Sequence, residues 1–272
     1  MHILVCVKQV PYAQNIAIDP VTNTLVREGV ESILNPFDGY ALEAAARLKD
    51  ANPAIEIHAL SMGPPQAEAA LRECLAMAAD KGYLATDRAF AGSDTLATSY
   101  ILSETIRYIE REQGISFALI FCGKQAIDGD TAQVGPQIAE LLGMAQVTNG
   151  LVCELQDNKL FIWRETDEGK EQVAVELPCL ATFTKPGFEP RLATVRRRTA
   201  ARRAEISVIG AQELQESDFN RMGLKGSPTQ VKRTFAPTLK AGGVVVDTAQ
   251  DPAAVAHLAQ LLVERHIIST VK

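Results

Sequence analysis

Hydrophobic residues in the first half of the chain fall into short continuous runs separated by stretches of helical periodicity. His2–Val7 is apolar and rich in β-branched residues, the pattern of a strand buried on both faces of a parallel sheet. Residues 55–62 and 117–122 repeat it, the first closed by Gly63-Pro64-Pro65 and the second by Gly123, and residues 81–90 form a weaker strand candidate. Asn35-Pro36-Phe37-Asp38 starts a helix: Asn35 can cap, Pro36 suits the first helical position, and Asp38 favours the positive helix end. Ala41, Leu42, Ala45 and Leu48 continue it at helical spacing. Residues 66–79 place Ala70, Leu71, Cys74, Leu75 and Ala78 on one face. Gly92-Ser93-Asp94 opens a long helix over 95–113. Asp130 is expected to cap a helix over 131–142, with Gln133 where a capping-box partner belongs.

Strands alternating with helices predict an α/β fold, a Rossmann-like parallel sheet with flanking helices and right-handed crossovers. In such sheets ligands bind beyond the carboxyl ends of the strands. The loops there are 35–38, 92–98 and 123–136. The second half changes character. Residues 146–154, 159–166 and 171–176 read as strands joined by turns at Asp157-Asn158 and 167–170, and 178–183 as one more. After a strand at Ile206–Ile209 and a short helix near 211–214, residues 217–244 are polar and rich in Gly, Pro and Lys, which predicts an extended arm. Asp251-Pro252 starts a last helix through Val255, Leu258, Leu262 and His266, suited to docking on a neighbouring surface. This gives an α/β domain over 1–216 with a β-rich extension at about 146–183, then a C-terminal arm and helix over 217–272.

Composition narrows the function classes. Over 272 residues the formal net charge is -6, which argues against nucleic acid as the main partner. No stretch has the apolar length to span a bilayer, and the first residues lack the pattern of a signal peptide, so the expected location is cytoplasmic. The five cysteines are far apart without a Cys-x-x-Cys pair, against a disulfide framework or an iron–sulfur site of usual spacing. The four scattered histidines read as ordinary core or surface positions, not metal ligands.

The richest chemistry lies in Gly123-Lys124-Gln125-Ala126-Ile127-Asp128-Gly129-Asp130-Thr131-Ala132-Gln133-Val134-Gly135-Pro136, between a strand and a helix. Its glycines permit close backbone approach, and amides around a helix start can cradle an anion. The order is not that of a P-loop, and Asp128 and Asp130 compete with phosphate, so they are expected to hold the loop's shape while its amides meet a ligand. Physics alone leaves nucleotide binding and a well-capped polar connection both open. Ser93, Asp94, Thr95, Thr98 and Ser99 crowd hydroxyls at a helix start, fit either for a diphosphate or for simple capping. The basic run 195–203 reads as a solvated face or a docking patch for an acidic partner. No paired nucleophile and base appears and no catalytic residue is assigned, so redox work would need a cofactor.

Val5-Cys6-Val7-Lys8-Gln9-Val10-Pro11, Asn35-Pro36-Phe37-Asp38, Leu60-Ser61-Met62-Gly63-Pro64, 123–136 and Glu189-Pro190-Arg191-Leu192-Ala193-Thr194 together resemble electron transfer flavoprotein β subunits over essentially the whole chain. The resemblance implies a fold of the adenine-nucleotide-binding type, a heterodimer with an α subunit, and nucleotide contacts at Cys6, Asn35, Pro36, Phe37, Asp38, Met62 and Gly123 through Val134. It also implies a partner-docking loop at about 184–203, in which Val195 stands where simple carriers have a leucine. Simple carriers bind AMP and have an acidic residue at the position of Gly129. Gly129, the 131–136 ending and the Ser93–Thr98 cluster instead resemble the electron-bifurcating branch, whose β subunit binds FAD. There the resemblance implies an NADH-oxidising flavin site, with Thr95, Thr98, Asp128, Thr131 and Gln133 near the flavin diphosphate and Asp94 among the cofactor-binding residues. It implies ferredoxin or flavodoxin as one electron acceptor and an acyl-CoA dehydrogenase-type flavoenzyme as the other. The remaining alternatives are a non-bifurcating carrier holding AMP and, in another class, a stand-alone nucleotide-binding sensor resembling universal stress proteins. The β-rich half and the arm argue against a sensor. A lone NAD dehydrogenase is disfavoured because Gly-x-Gly-x-x-Gly is missing.

Overall fold

The computed structural model describes residues 1–12, 32–232, 243, 247–249 and 251–269. Its first strand, β1 (His2–Val7), lies inside a nine-stranded sheet. Because alternate side chains of a strand point to opposite faces, Ile3, Val5 and Val7 join one apolar cluster while Leu4 and Cys6 join the other. Helices therefore cover both faces. α1 (Pro36–Ala51) and α2 (Glu68–Met77) contribute Leu42, Ala45, Leu71 and Leu75 to the first cluster. α3 (Thr95–Gln113) and α4 (Val134–Leu142) contribute Ile101, Ile106, Ile138 and Ala139 to the second.

The remaining strands are β2 (Gln9–Pro11), β3 (Ser32–Leu34), β4 (Glu56–Met62), β5 (Lys81–Ala85), β6 (Phe117–Gly123), β7 (Ala145–Gln156), β8 (Lys159–Thr166), β9 (Gly169–Glu176), β10 (Cys179–Phe183) and β11 (Ile206–Ile209). The sheet order is β11-β5-β4-β1-β6-β10-β7-β8-β9, parallel from β11 to β7 and antiparallel from β7 to β9. The α/β class with a mostly parallel sheet and flanking helices is thus as expected, with the β-rich extension continuing the same sheet. β2 and β3 form a separate antiparallel pair that the sequence reading lacked.

Several element bounds differ from expectation. The strand expected over 81–90 stops at Ala85, and a 3-10 turn follows at Arg88–Phe90, where Asp87 accepts the Ala89 amide. The helix expected at 66–79 is a 3-10 turn followed by α2, and residues 211–214 form turns only. The basic run contains a short helix, α5 (Val195–Ala201), with Thr194 accepting the Arg197 amide at its start. Arg197 donates to the carbonyls of Leu75, Ala76 and Ala79 at the end of α2, so part of that run binds the protein's own helix terminus.

Two compact units divide the chain, Met1–Arg233 and Thr234–Lys272. Residues 217–232, read from sequence as the start of the arm, belong to the first. The Asp218 amide donates to Tyr100 Oη at 2.8 Å, and Thr229 donates through amide and hydroxyl to Asp94 at 3.0 and 2.8 Å. The second unit contains α6 (Ala254–Glu264), with Val255, Leu258 and Leu261 exposed. Much of the expected 217–244 arm beyond residue 232 lies outside the described residues. Among the described residues no helix is long and apolar enough to cross a membrane.

Candidate functional site

The carboxyl ends of β1, β4, β5 and β6 open into one cavity of about 950 Å³. That size lies at the upper end of the range for small-molecule sites, about 300–1,000 Å³. Its floor carries Cys6 and Cys122, direct neighbours across β1 and β6. A hydrogen bond with Cys6, then burial, pushes the Cys122 thiol well above its ordinary range, so this floor is neutral and apolar. All five cysteines are buried and free.

Asp38 closes the cavity's base. It sits in the first turn of α1 and is buried, yet its carboxylate serves other elements: it accepts the Lys8 amide at 2.7 Å and the Gly123 amide at 3.1 Å. Burial raises its pKa to about 7 against the opposing pull of those hydrogen bonds. Gly123 is required here, because a Cβ would fall 2.3 Å from Asp38 Oδ1 and 2.7 Å from Phe37.

One wall is the start of α3. Asp94 caps it, accepting the Leu96 and Ala97 amides at 3.0 and 3.1 Å. Burial pushes the Asp94 carboxyl up, but these bonds and those from Thr229 outweigh it and hold its pKa below the usual value. Thr95 and Thr98 line the cavity beside it, and Thr95 Oγ1 donates to Gln133 Oε1 at 3.0 Å, joining this wall to the one opposite.

The opposite wall is the loop after β6. Here the expected helix over 131–142 is corrected. Asp130 and Ala132 have φ of 56° and 53°, left-handed values that no α-helix accommodates, and α4 begins only at Val134. Asp130 does not cap α4; its carboxylate accepts from Gln125 Nε2. Gln133 is the residue before the helix and makes no side-chain cap. The loop is shaped from behind by Asn35. That side chain is fully buried and does not cap α1 either: it donates to the Gln125 carbonyl at 2.8 Å and accepts the Ile127 amide at 3.2 Å. Asp128 pairs with Lys8 Nζ at 2.7 Å.

Of the residues singled out from sequence, Cys6, Asp38, Met62, Asp94, Thr95, Thr98, Gly123, Lys124, Gln125, Ala126, Gly129, Thr131, Ala132, Gln133 and Val134 line the cavity. Asn35, Pro36, Phe37, Ile127, Asp128 and Asp130 do not. Asn35, Asp128 and Asp130 support the loop, Phe37 packs against Gly123, Ile127 is exposed, and Pro36 lines a different groove. The lining also includes Lys8, Gly63, Pro64, Pro65, Thr86, Asp87, Arg88, Phe90 and Ala91, none of them among the predicted site residues. Extending β5 to residue 90 concealed those that follow the strand, although the rule that ligands sit beyond strand ends applies to β5 as it does to its neighbours.

Gly129 differs from the other loop glycines. Its φ is not positive, and an added Cβ would meet nothing within 4 Å, although the residue lines the cavity. Neither backbone conformation nor packing within the chain calls for glycine there. The residue is exposed at the edge of the cavity, and the missing side chain leaves open space there. The lining supplies cations at Lys8, Arg88 and Lys124 and two threonine hydroxyls at a helix start, but no histidine and no nucleophile–base pair. It is built to hold a ligand, and any redox chemistry would come with that ligand.

Comparison with known proteins follows the same line. The family model described as "Electron transfer flavoprotein domain" matches residues 22–214. An electron transfer flavoprotein subunit beta of Megasphaera elsdenii is 48% identical over 252 residues, 92% of this chain and 93% of the relative. The caffeyl-CoA reductase-Etf complex subunit CarD of Acetobacterium woodii is 45% identical over 98% of this chain and 100% of its own. Protein FixA of Bradyrhizobium diazoefficiens is 46% identical over 93% of this chain and 88% of its own.

Proposed function

The chain belongs to the electron transfer flavoprotein family as a β subunit, an electron carrier that pairs with an α subunit, and from that premise we propose that its cavity takes FAD rather than AMP and that it works in an electron-bifurcating assembly. The observation that carries the choice is Gly129: an uncrowded glycine of ordinary φ among the cavity-lining residues, exposed at the edge of the ligand space, where a side chain would meet no atom of the chain. The cavity volume supports the larger ligand. Thr95, Thr98 and Gln133 would hold the diphosphate beside the start of α3, Lys124 would offset its charge, and the 125–133 backbone would follow its length. Asn35, Asp128 and Asp130 would act from behind by fixing that backbone. Cys122, its thiol held neutral beside the buried Cys6, would keep that part of the floor apolar.

Bound there, FAD supplies hydride acceptance from NADH and electron release to ferredoxin or flavodoxin and, through the α-subunit flavin, to an acyl-CoA dehydrogenase-type flavoenzyme. The name of one relative, subunit of a caffeyl-CoA reductase-Etf complex, supports a flavoenzyme partner acting on CoA esters. Leu192 and Val195, 92% and 85% exposed on the 184–203 segment, are available for such docking, while Arg191 ties that segment to Glu43 of α1 at 2.8 Å.

The test is cofactor release from the co-expressed, FAD-saturated heterodimer. Two FAD and no AMP per heterodimer are expected; one FAD and one AMP would overturn the reading. In Gly129→Asp the content should fall to one FAD, and full retention of the second flavin would remove the argument from Gly129.

A further inference from the structure

At the amino ends of β1 and β4, across the sheet from the cavity, three side chains converge. Strand periodicity puts Glu56 and His58 on one face of β4, and the parallel register sets His2 beside Glu56 on that same face. One atom from each forms a triangle. His2 Nδ1 lies 3.1 Å from His58 Nε2 and 3.2 Å from Glu56 Oε2, and His58 Nε2 lies 3.7 Å from the same oxygen. We propose that His2, Glu56 and His58 form a site for a divalent transition-metal ion of the zinc class, with the fourth position open to water.

The distances select the coordination. Four ligands at the usual 2.0–2.1 Å from zinc stand about 3.3–3.4 Å apart at the corners of a tetrahedron. The three measured separations bracket that edge, so an ion fits without moving the strands. The donor set, two imidazoles and one carboxylate, suits zinc.

The surroundings orient each ligand. His58 is fully buried, stacked on Tyr83 with 4° between the ring planes and held edge-on by Phe117 at 5.1 Å. Its Nδ1 lies 3.3 Å from Tyr83 Oη, so Nδ1–H donates to that oxygen in the tautomer that leaves Nε2 for a metal. Glu56 divides its oxygens: Oε1 accepts from Lys81 Nζ at 3.1 Å, and Oε2 turns to the histidines. The side chains of His2 and Glu56 are 27% and 32% exposed, which gives an ion a route in and a water its place. Scattered spacing in sequence made these histidines look ordinary; register brings them together.

Five residue steps of β1 separate His2 from the cavity end of the strand, about 16 Å. The ion would clamp β1 to β4 and leave the cavity untouched, so this inference stands independently of the cofactor assignment.

The experiment uses the co-purified heterodimer without a polyhistidine tag, stripped with chelator and titrated with Co²⁺, which reports tetrahedral coordination by intense visible absorption. Wild type should bind one more Co²⁺ per heterodimer than His2→Gln, with the intense bands lost in that variant and in Glu56→Gln. Apparent affinity at this site should fall at least tenfold in each, the lower end of what losing even an outer-shell partner does. Zn²⁺ should displace the cobalt and raise the thermal midpoint of wild type only. Both substitutions lie at the solvent rim, and unchanged flavin content certifies their fold. Equal Co²⁺ uptake by wild type and His2→Gln, or weak bands of six-coordinate type in wild type, would overturn the proposal.

Discussion

Two of the helices that begin at the cavity, α1 and α3, carry an aspartate at their start, and the two carboxylates do opposite things. Asp94 serves its own helix: it caps α3 through amides two and three residues on, and those bonds with Thr229 keep it ionised more easily than usual. Asp38 turns away from α1 and straps amides from β1 and β6, 30 and 85 residues distant, at a depth that makes ionisation unfavourable. A residue type at a helix start therefore predicts a cap only where no stronger long-range demand exists. The walls differ in the same way. The α3 wall is fixed chiefly by local helix chemistry, and the 124–133 wall by side chains imported from elsewhere, chiefly Asn35 and Lys8.

The sharpest way to break this comparison is pH. Asp38 holds its proton more tightly folded than unfolded, so its contribution to stability is complete below about pH 4 and is lost as pH rises toward about 7. A shift of roughly 3 units corresponds to at most about 4 kcal/mol. Asp38→Asn should flatten that part of the curve in denaturant unfolding measured between pH 4 and 8. An unchanged slope would mean that Asp38 ionises as an ordinary surface acid. Next in size is Asn35→Ala, which leaves the Gln125 carbonyl and Ile127 amide without partners. It should cost about 2–3 kcal/mol and loosen the 124–133 wall selectively, read by faster amide hydrogen exchange there than in α3. Smallest is Asp94→Ala, about 1–2 kcal/mol, with the loss confined to the first turn of α3 and to residues 227–229. Its effect has the opposite sign from that of Asp38: Asp94 stabilises above about pH 4 and loses that contribution as pH falls through its lowered pKa, so variant and wild type should converge in acid.

What was legible in the sequence follows the same division. β1, β4 and β6 could be read because parallel strands buried on both faces need continuous apolar runs, and α3 because Gly92-Ser93-Asp94 announces its start locally. That 123–136 begins as a loop beyond a strand end was legible from its glycines and its place after a strand. Its shape was not, because Asp130 and Ala132 turn left-handed and the loop is held at Gln125 and Ile127 by Asn35, some ninety residues earlier than those contacts. The short β2–β3 pair carries too few residues for a period to emerge. Residues 217–232 look like linker by composition, yet Asp218, Ser227 and Thr229 bind Tyr100 and the start of α3, and no periodicity announces bonds of that kind.

The clasp between Asp94 and Thr229 spans 135 positions of chain. At a synthesis rate of about 5–20 residues per second, Thr229 is made roughly 7–27 s after Asp94. During that interval Asp94 can already cap the first turn of α3 through the Leu96 and Ala97 amides, and the bonds from Thr229 are added to a helix start that exists without them.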